Sequence, residues 1–306
     1  MRVIILLSFF LLISEIVFPQ ASSRWKRMRY EVYFGAGATN FLGELGGANR
    51  EGTNFLRDLE FSMTRAVFSL GLRYKISPVI SNKTMLSYGF LKGDDKTTKE
   101  TYRSYRNLNF RTPIVEFATQ FEYSIIREKQ GHRYNLRRVR GVKGFKTNTY
   151  FFLGIGGFYY NPKGYYNPGN YAKAKWYALQ PLGTEGQGLV PTRKKYSRVS
   201  VCIPYGIGFK YGLNRRWSIG LEFSAHKTFT DYIDDVSTTY YDKTLLSDSR
   251  GDVAAYLADP SSHENPLWTE AYQQRGDAKD KDSYMFMVIN LTVKLYTTRQ
   301  GMPKFR

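Results

Sequence analysis

Between Tyr284 and Tyr296 the chain alternates. Met285, Met287, Ile289, Leu291, Val293 and Leu295 fall on one parity, and Asn290, Thr292 and Lys294 on the other. A period of two places the apolar set on one face of an extended strand and the polar set on the opposite face. Strands of globular sheets usually run about five or six residues. About ten are needed to cross a bilayer in a tilted barrel, which is the length this segment offers.

The same pattern recurs. From Val199 to Leu213 the set Val199, Val201, Ile203, Tyr205, Ile207, Phe209 and Tyr211 is expected outside, with Ser200, Cys202, Gly206, Gly208 and Lys210 inside. From Trp217 to Phe229, Ile219, Leu221 and Phe223 oppose Gly220, Glu222 and Ser224. Only Leu213 to Arg216 separates these two strands, which predicts a tight hairpin. Weaker alternation marks Arg29–Thr39, Ala66–Lys75, Thr84–Gly93, Asn109–Ile125 and Thr149–Tyr160. The expectation is an all-β chain: a single antiparallel transmembrane β-barrel of about eight strands.

The connections support a barrel over a soluble sandwich because they alternate in length. Ile76–Lys83 and Leu213–Arg216 are short, while Asn40–Arg65, Asp94–Leu108, Asn161–Arg198 and Thr230–Ser283 are long and polar. Short periplasmic turns and long outer loops are the barrel rule. Ile126–Asn148 breaks it, being long on the short side. Aromatics near the strand ends, at Tyr30, Trp217, Phe229, Tyr284 and Tyr296, suit girdles at the membrane interfaces.

Met1 and Arg2 precede an apolar run from Val3 to Phe18, followed by Ala21, Ser22 and Ser23. That order predicts a secretory signal over residues 1–23, a barrel over 24–296 and a periplasmic tail over 297–306, with both mature termini periplasmic. Downstream there is no long apolar segment, so any membrane crossing falls to strands. Cys202 is the only cysteine, which excludes an intramolecular disulfide. The formal net charge of +19 draws a protein to phosphate-bearing surfaces. Outside the cytoplasm those are membrane lipids rather than nucleic acid, and no nucleic-acid partner is expected.

If the alternation holds, Glu31, Arg73, Glu116, Glu122, Lys210, Glu222 and Lys294 point inward. An eight-stranded barrel is just wide enough for its own side chains, so these charges should pair and plug it. A proton path or catalytic carboxylate pair is the other use of such residues, but buried charges need partners for structural reasons alone. No cofactor or metal is expected, since His132, His226 and His263 have no ligand spacing to one another or to Cys202. His226 faces inward with Ser224 on the same strand and Asp231 beyond it, a trio that suggests a lipid-modifying or proteolytic barrel enzyme, although its spacing has no specificity. Asp231, Asp234, Asp235 and Asp242 carry oxygen ligands at short intervals that would suit calcium, but they lack the ligand order of a calcium loop and read as a solvated loop base. Gly35-Ala36-Gly37 and Gly154-Ile155-Gly156-Gly157 are not followed by a helix, so they read as small inward residues rather than a phosphate loop.

The exceptional connection contains Arg127, Lys129, His132, Arg133, Arg137, Arg138, Arg140, Lys143 and Lys146, with Tyr134 and Phe145 interleaved. Arg133, Arg137, Arg138, Arg140, Lys143 and Lys146 are the candidate partner-binding residues, against an acidic protein or lipid phosphates; a plain solvated surface is the alternative. On the outer side, Asn161–Arg198 mixes tyrosines with Lys173, Lys175, Arg193, Lys194 and Lys195, which suits glycolipid phosphates or simple solubility.

The run Tyr30-Glu31-Val32 through Gly35-Ala-Gly-Ala-Thr-Asn-Phe-Leu-Gly-Glu-Leu-Gly-Gly47 resembles the first strand and outer loop of a PorG-like family of outer-membrane barrels. The stretch from Gly206 through Leu213-Asn-Arg-Arg-Trp217 to Thr230-Asp-Tyr-Ile-Asp-Asp-Val-Ser-Thr-Thr-Tyr240 resembles it too. The resemblance implies a non-enzymatic accessory barrel of the type IX secretion system, set near a periplasmic ring formed by a lipoprotein and its partner. It assigns no binding residues. A general structural or adhesive barrel acting through its outer loops is the remaining alternative.

Overall fold

The computed structural model of the chain describes residues 23–45, 61–98, 100–128, 146–167, 169, 174–261, 265–297 and 302–304. Its strands are β1 (Tyr30–Leu42), β2 (Arg65–Lys75), β3 (Ile80–Asp94), β4 (Asn109–Ile126), β5 (Thr147–Tyr160), β6 (Lys163–Tyr166), β7 (Lys175–Ala178), β8 (Val199–Gly212), β9 (Trp217–Thr228), β10 (Ser283–Thr297) and β11 (Pro303–Lys304). Strands β1 to β5 and β8 to β10 form an eight-stranded antiparallel meander. Strand β10 closes it against β1, in register from Tyr30↔Leu295 to Leu42↔Ser283. Every barrel strand is paired on both sides, which rules out a sandwich and removes all edges.

The faces are inverted relative to a soluble protein. Leu70 (53%), Phe117 (61%), Leu153 (60%) and Ile289 (57%) stand exposed on the outer surface, while Glu31, Arg73, Lys83 and Glu116 are buried inside. Apolar side chains on all eight strands form this outer belt. In water such a belt would cost far more than the largest patches that monomers carry, so its solvent is lipid. Among the described residues no helix is long and apolar enough to cross a membrane. The chain is an integral barrel of the outer-membrane type.

Two four-residue turns mark one rim, and both are closed by their own side chains. Ser77 Oγ accepts from the Val79 and Ile80 amides at 3.2 and 2.9 Å. Strand β3 therefore starts at Ile80, earlier than the alternation alone predicts. Asn214 Oδ1 accepts from Arg216 N at 2.8 Å and Trp217 N at 2.9 Å in the other turn. Local acceptors of this kind are what Ser and Asn bring to turns. The same rim carries the β4–β5 connection, of which 129–145 lie outside the described residues. The predicted signal, except Ser23 in a short 3-10 helix, lies outside them too, as does most of the tail; Pro303 and Lys304 pair back onto Thr297 and Tyr296.

The opposite rim carries a folded cap. The β6–β7 hairpin extends β4 through Arg111↔Lys163. Helices α1 (Thr101–Arg106), α2 (Leu179–Leu182), α3 (Lys243–Arg250) and α4 (Asp252–Ala258) complete it. Leu246, Ala254 and Ala258 form a small core with Leu182, Leu189 and Tyr241. A second apolar layer, including Phe41, Leu45, Phe110, Ile233, Val236 and Phe286, joins cap to lumen.

Three expectations need correction. Tyr284 sits at a strand end but is fully buried, because its parity is that of Phe286 and Val288, so it belongs to the lumen and not to a girdle. Trp217, Phe229 and Tyr296 are exposed as a girdle requires. Ala36, Ile155 and Gly157 face outward, since the buried parity of β1 runs through Glu31, Tyr33 and Thr39 and that of β5 through Tyr150, Phe152, Phe158 and Tyr160. Asp231, Asp234 and Asp235 are buried, not solvated, because the cap folds over them.

Candidate functional site

The lumen is filled by paired charges. All seven predicted inward residues are buried, and the strands bring Glu31, Arg73, Glu122 and Glu222 together near the short-turn rim. Arg73, on β2, donates from Nη1 to Glu31 Oε2 at 3.1 Å and from Nη2 to Glu122 Oε1 at 3.0 Å and Glu222 Oε1 at 3.2 Å. A guanidinium presents a rigid fork of donors, which is why one Arg can satisfy carboxylates from three different strands. Lys210 and Lys75 each reach Glu31 at 2.8 Å. Lys294 is held by Glu128 at 2.5 Å.

One member of the network escaped the sequence reading. Lys83 is fully buried and lies 2.5 Å from Glu222, with its ammonium 4.2 Å from the centre of the Tyr33 ring. Its signal was available: Lys83 shares the inward parity of β3 with Ser81, Met85 and Ser87, but the alternation alone starts the strand at Thr84, four residues after its actual start at Ile80. Tyr150 donates to Glu222 and receives Arg73 Nη2 at 3.0 Å. Gly208 makes room for that ring: a Cβ there would collide with it.

A second cluster lies further up the lumen. His226 Nε2 is 2.9 Å from Ser224 Oγ, and Nδ1 is 3.0 Å from Glu116 Oε2. The order Ser–His–carboxylate is that of a hydrolase relay, with Glu116 in the place the sequence offered to Asp231. Glu116 lies on β4, so no local spacing could have revealed it. Two features work against nucleophilic use. Nδ1 is off the line of a ring N–H hydrogen bond to the carboxylate, and Tyr284 and Phe286 pack on the imidazole at 4.7 and 4.5 Å between ring centres. Tyr284 donates to Glu116 Oε2 at 2.5 Å, tying that carboxylate into the wall. Glu116, Cys202 and His226 also bring three potential ligand atoms within 4.8 Å of one another.

In the cap, Arg106 donates to both oxygens of Asp95, at 2.8 and 3.1 Å. Arg275 donates to Glu185 at 3.0 Å, and Glu185 accepts the Ser237 and Thr238 amides. Asp235 takes hydroxyls from Thr184 and Tyr196 at 2.5 and 2.6 Å, while burial lifts its carboxyl to about 6. Arg193 and Lys195, offered by the sequence to lipid phosphates, instead hold cap carbonyls of Glu185 and Pro181.

Of the candidate partner-binding residues, Lys146 is exposed at the short-turn rim, its ammonium 6.0 Å from the centre of the Tyr211 ring. Arg133, Arg137, Arg138, Arg140 and Lys143 lie outside the described residues.

No family model matches the chain. No curated protein matches it. Solved outer-membrane proteins do align with it. Neisserial surface protein A shares 8% identity over 87% of this chain and 96% of its own, with a TM-score of 0.35. Ail, the attachment invasion locus protein of Yersinia pestis, shares 8% over 87% and 98%, with a TM-score of 0.35. OprG of Pseudomonas aeruginosa shares 7% over 89% and 98%, with a TM-score of 0.37. At these values the likeness adds nothing to the strand pairing and inverted faces, which by themselves make this chain an eight-stranded barrel of the outer-membrane type.

Proposed function

We propose that the chain is a non-enzymatic anchor of the type IX secretion machinery, standing in the outer membrane with both termini periplasmic. It docks the periplasmic ring made by a lipoprotein and its partner. Membrane lipids contact its apolar belt. The observation that carries the reading is the β4–β5 connection. On a rim whose other turns are four residues long, Ile126 and Thr147 bracket a segment dense in arginine and lysine. A barrel stapled shut by buried ion pairs suits an anchor better than a conduit. The Ser224–His226–Glu116 cluster is walled by aromatic rings, which favours a structural over a hydrolytic role. The secretion assignment itself draws on the family resemblance at residues 30–47 and 206–240.

Reversing charge at Arg137, Arg138 and Arg140 to Glu is expected to strip the ring from the tagged barrel during mild-detergent purification. Insertion, followed by heat-modifiable gel mobility, should stay intact. Undiminished recovery of the ring with the inserted triple mutant would overturn the reading.

A further inference from the structure

Three carboxylates from distant parts of the chain meet where the cap joins the barrel. Glu44 follows β1, Asp234 follows β9 and Asp282 immediately precedes β10. One oxygen from each lies within 4.8 Å of the other two. Asp234 and Asp282 are each 1% exposed. Backbone amides fix the group: Leu45 N and Val236 N donate to Asp234 at 3.1 and 3.0 Å, Ile233 N to Asp282 Oδ2 at 2.9 Å, and Asp277 N to Glu44 Oε1 at 3.1 Å.

These donors leave two oxygens over. Asp282 Oδ1 and Glu44 Oε2 are sealed from solvent without a hydrogen-bond partner. Asp282 Oδ1 is aimed at the end of β1, since a Cβ on Gly43, the neighbour of Glu44, would collide with it. A buried, unpartnered carboxylate oxygen is expensive, and three carboxylates turned toward one point repel. Arg106 is the nearby cation on the Asp234 side, but its donors go to Asp95 and to the carbonyls of Glu44 and Arg275. Lys281 stands by Asp231, a fourth buried carboxylate beside the group.

We propose that Glu44, Asp234 and Asp282 bind one Ca²⁺ ion, which locks the β1 end to both ends of the β9–β10 connection. Oxygens ligate calcium at about 2.3–2.6 Å, so ligands on opposite sides stand up to roughly 5 Å apart; magnesium at about 2.1 Å needs a tighter set. Separations within 4.8 Å are ones that calcium accommodates. Its tolerance of irregular, carboxylate-rich oxygen sets suits ligands drawn from three chain segments better than the strict, partly hydrated octahedron of magnesium. With two of the six oxygens unpartnered and no cation donating to the three carboxylates among the described side-chain contacts, a divalent ion would supply the missing positive charge. The sequence pointed to this segment and to one of its members, Asp234. Asp235 is spent on Thr184 and Tyr196, Asp242 caps a helix, and the distant Glu44 and Asp282 complete the set.

The test uses the full mature chain refolded in detergent free of lipopolysaccharide and stripped with chelator. Titration calorimetry with CaCl₂ should show one site per chain, at least tenfold tighter than with MgCl₂. Calcium should also slow tryptic cleavage of the cap. Asp282→Asn and Glu44→Gln, each verified as folded by gel mobility and circular dichroism, should weaken calcium at least tenfold; either one suffices if the other does not fold. Asp242→Asn should leave it unchanged. Absence of calcium uptake by the folded wild type, equal affinity for magnesium, or unaltered affinity in the folded variants would overturn the assignment. None of these outcomes touches the secretion reading, which rests on the opposite rim.

Discussion

The lower lumen and the base of the cap bury carboxylates in similar numbers and treat them oppositely. Below, Glu31, Glu122 and Glu222 converge on Arg73 and are reinforced by Lys75, Lys83 and Lys210. Above, Glu44, Asp234 and Asp282 converge on one another. The lower set is self-sufficient because facing strands supply cations at matched heights. The upper set comes from strand ends and loops, with Arg106 already engaged by Asp95. One region carries its counter-charges in the sequence, while the other brings its carboxylates together without matched ones.

Removing a cation from the lower region should therefore have the largest effect. Arg73→Leu strands three glutamates, and breaking a buried pair by deleting one partner costs about 3–5 kcal/mol. Urea titration of the barrel refolded in lipid vesicles should show that loss as a lower midpoint with unchanged slope. A loss below about 1 kcal/mol would mean that the lysines alone neutralise the glutamates, and the contrast between the regions would shrink.

The upper region should respond to pH instead. Its carboxyls have folded values above their unfolded ones: about 6 for Asp231, about 7 for Asp234 and about 9 for Glu44, each raised first by burial. The folded state then holds more protons than the unfolded state, so the stability they contribute is full below about pH 4 and is lost as pH rises through the folded values. Arg106, Lys281, Glu185 and Asp277 also face these groups and modulate the slope without reversing it. In chelator, amide exchange of the cap should accelerate between about pH 5 and pH 9 beyond the intrinsic rate, and calcium should flatten the trend. A cap that becomes more protected over that range would refute the repulsive reading.

The two regions also differ in how far the sequence disclosed them. Strand alternation determines parity, and parity placed Glu31, Arg73, Glu116, Glu122, Lys210, Glu222 and Lys294 inside before any contact was known. Lys83 was missed only because the start of β3 was misjudged beyond a Ser77-closed turn. Which charges meet was not legible, because partners lie on strands far apart in the chain, as Arg73 and Glu222 do. The cap has no comparable code. Its loops read as polar connections, yet Leu246, Ala254 and Ala258 build a core there, and burial of Asp231, Asp234 and Asp235 follows from tertiary folding that local polarity cannot show. Ser224 and His226 were visible as neighbours on β9, but their carboxylate Glu116 comes across the lumen from β4.

The smallest effect comes from the one acid of the 231–242 run that stayed near water. Asp242 is the N-cap of α3, where its side chain accepts from Leu245 N at 2.9 Å. That amide is one of the donors left open at a helix start, and a charged acceptor there is favoured by the helix dipole as well. Asp242→Ala should cost about 0.5–2 kcal/mol of local stability, read as faster exchange of the Leu245 and Leu246 amides. The change should be the same with calcium or chelator, because this carboxylate answers to a backbone N–H and not to its fellow acids. A calcium-dependent penalty at Asp242 would place it in the metal set and erase the distinction between the capped acid and the converging ones.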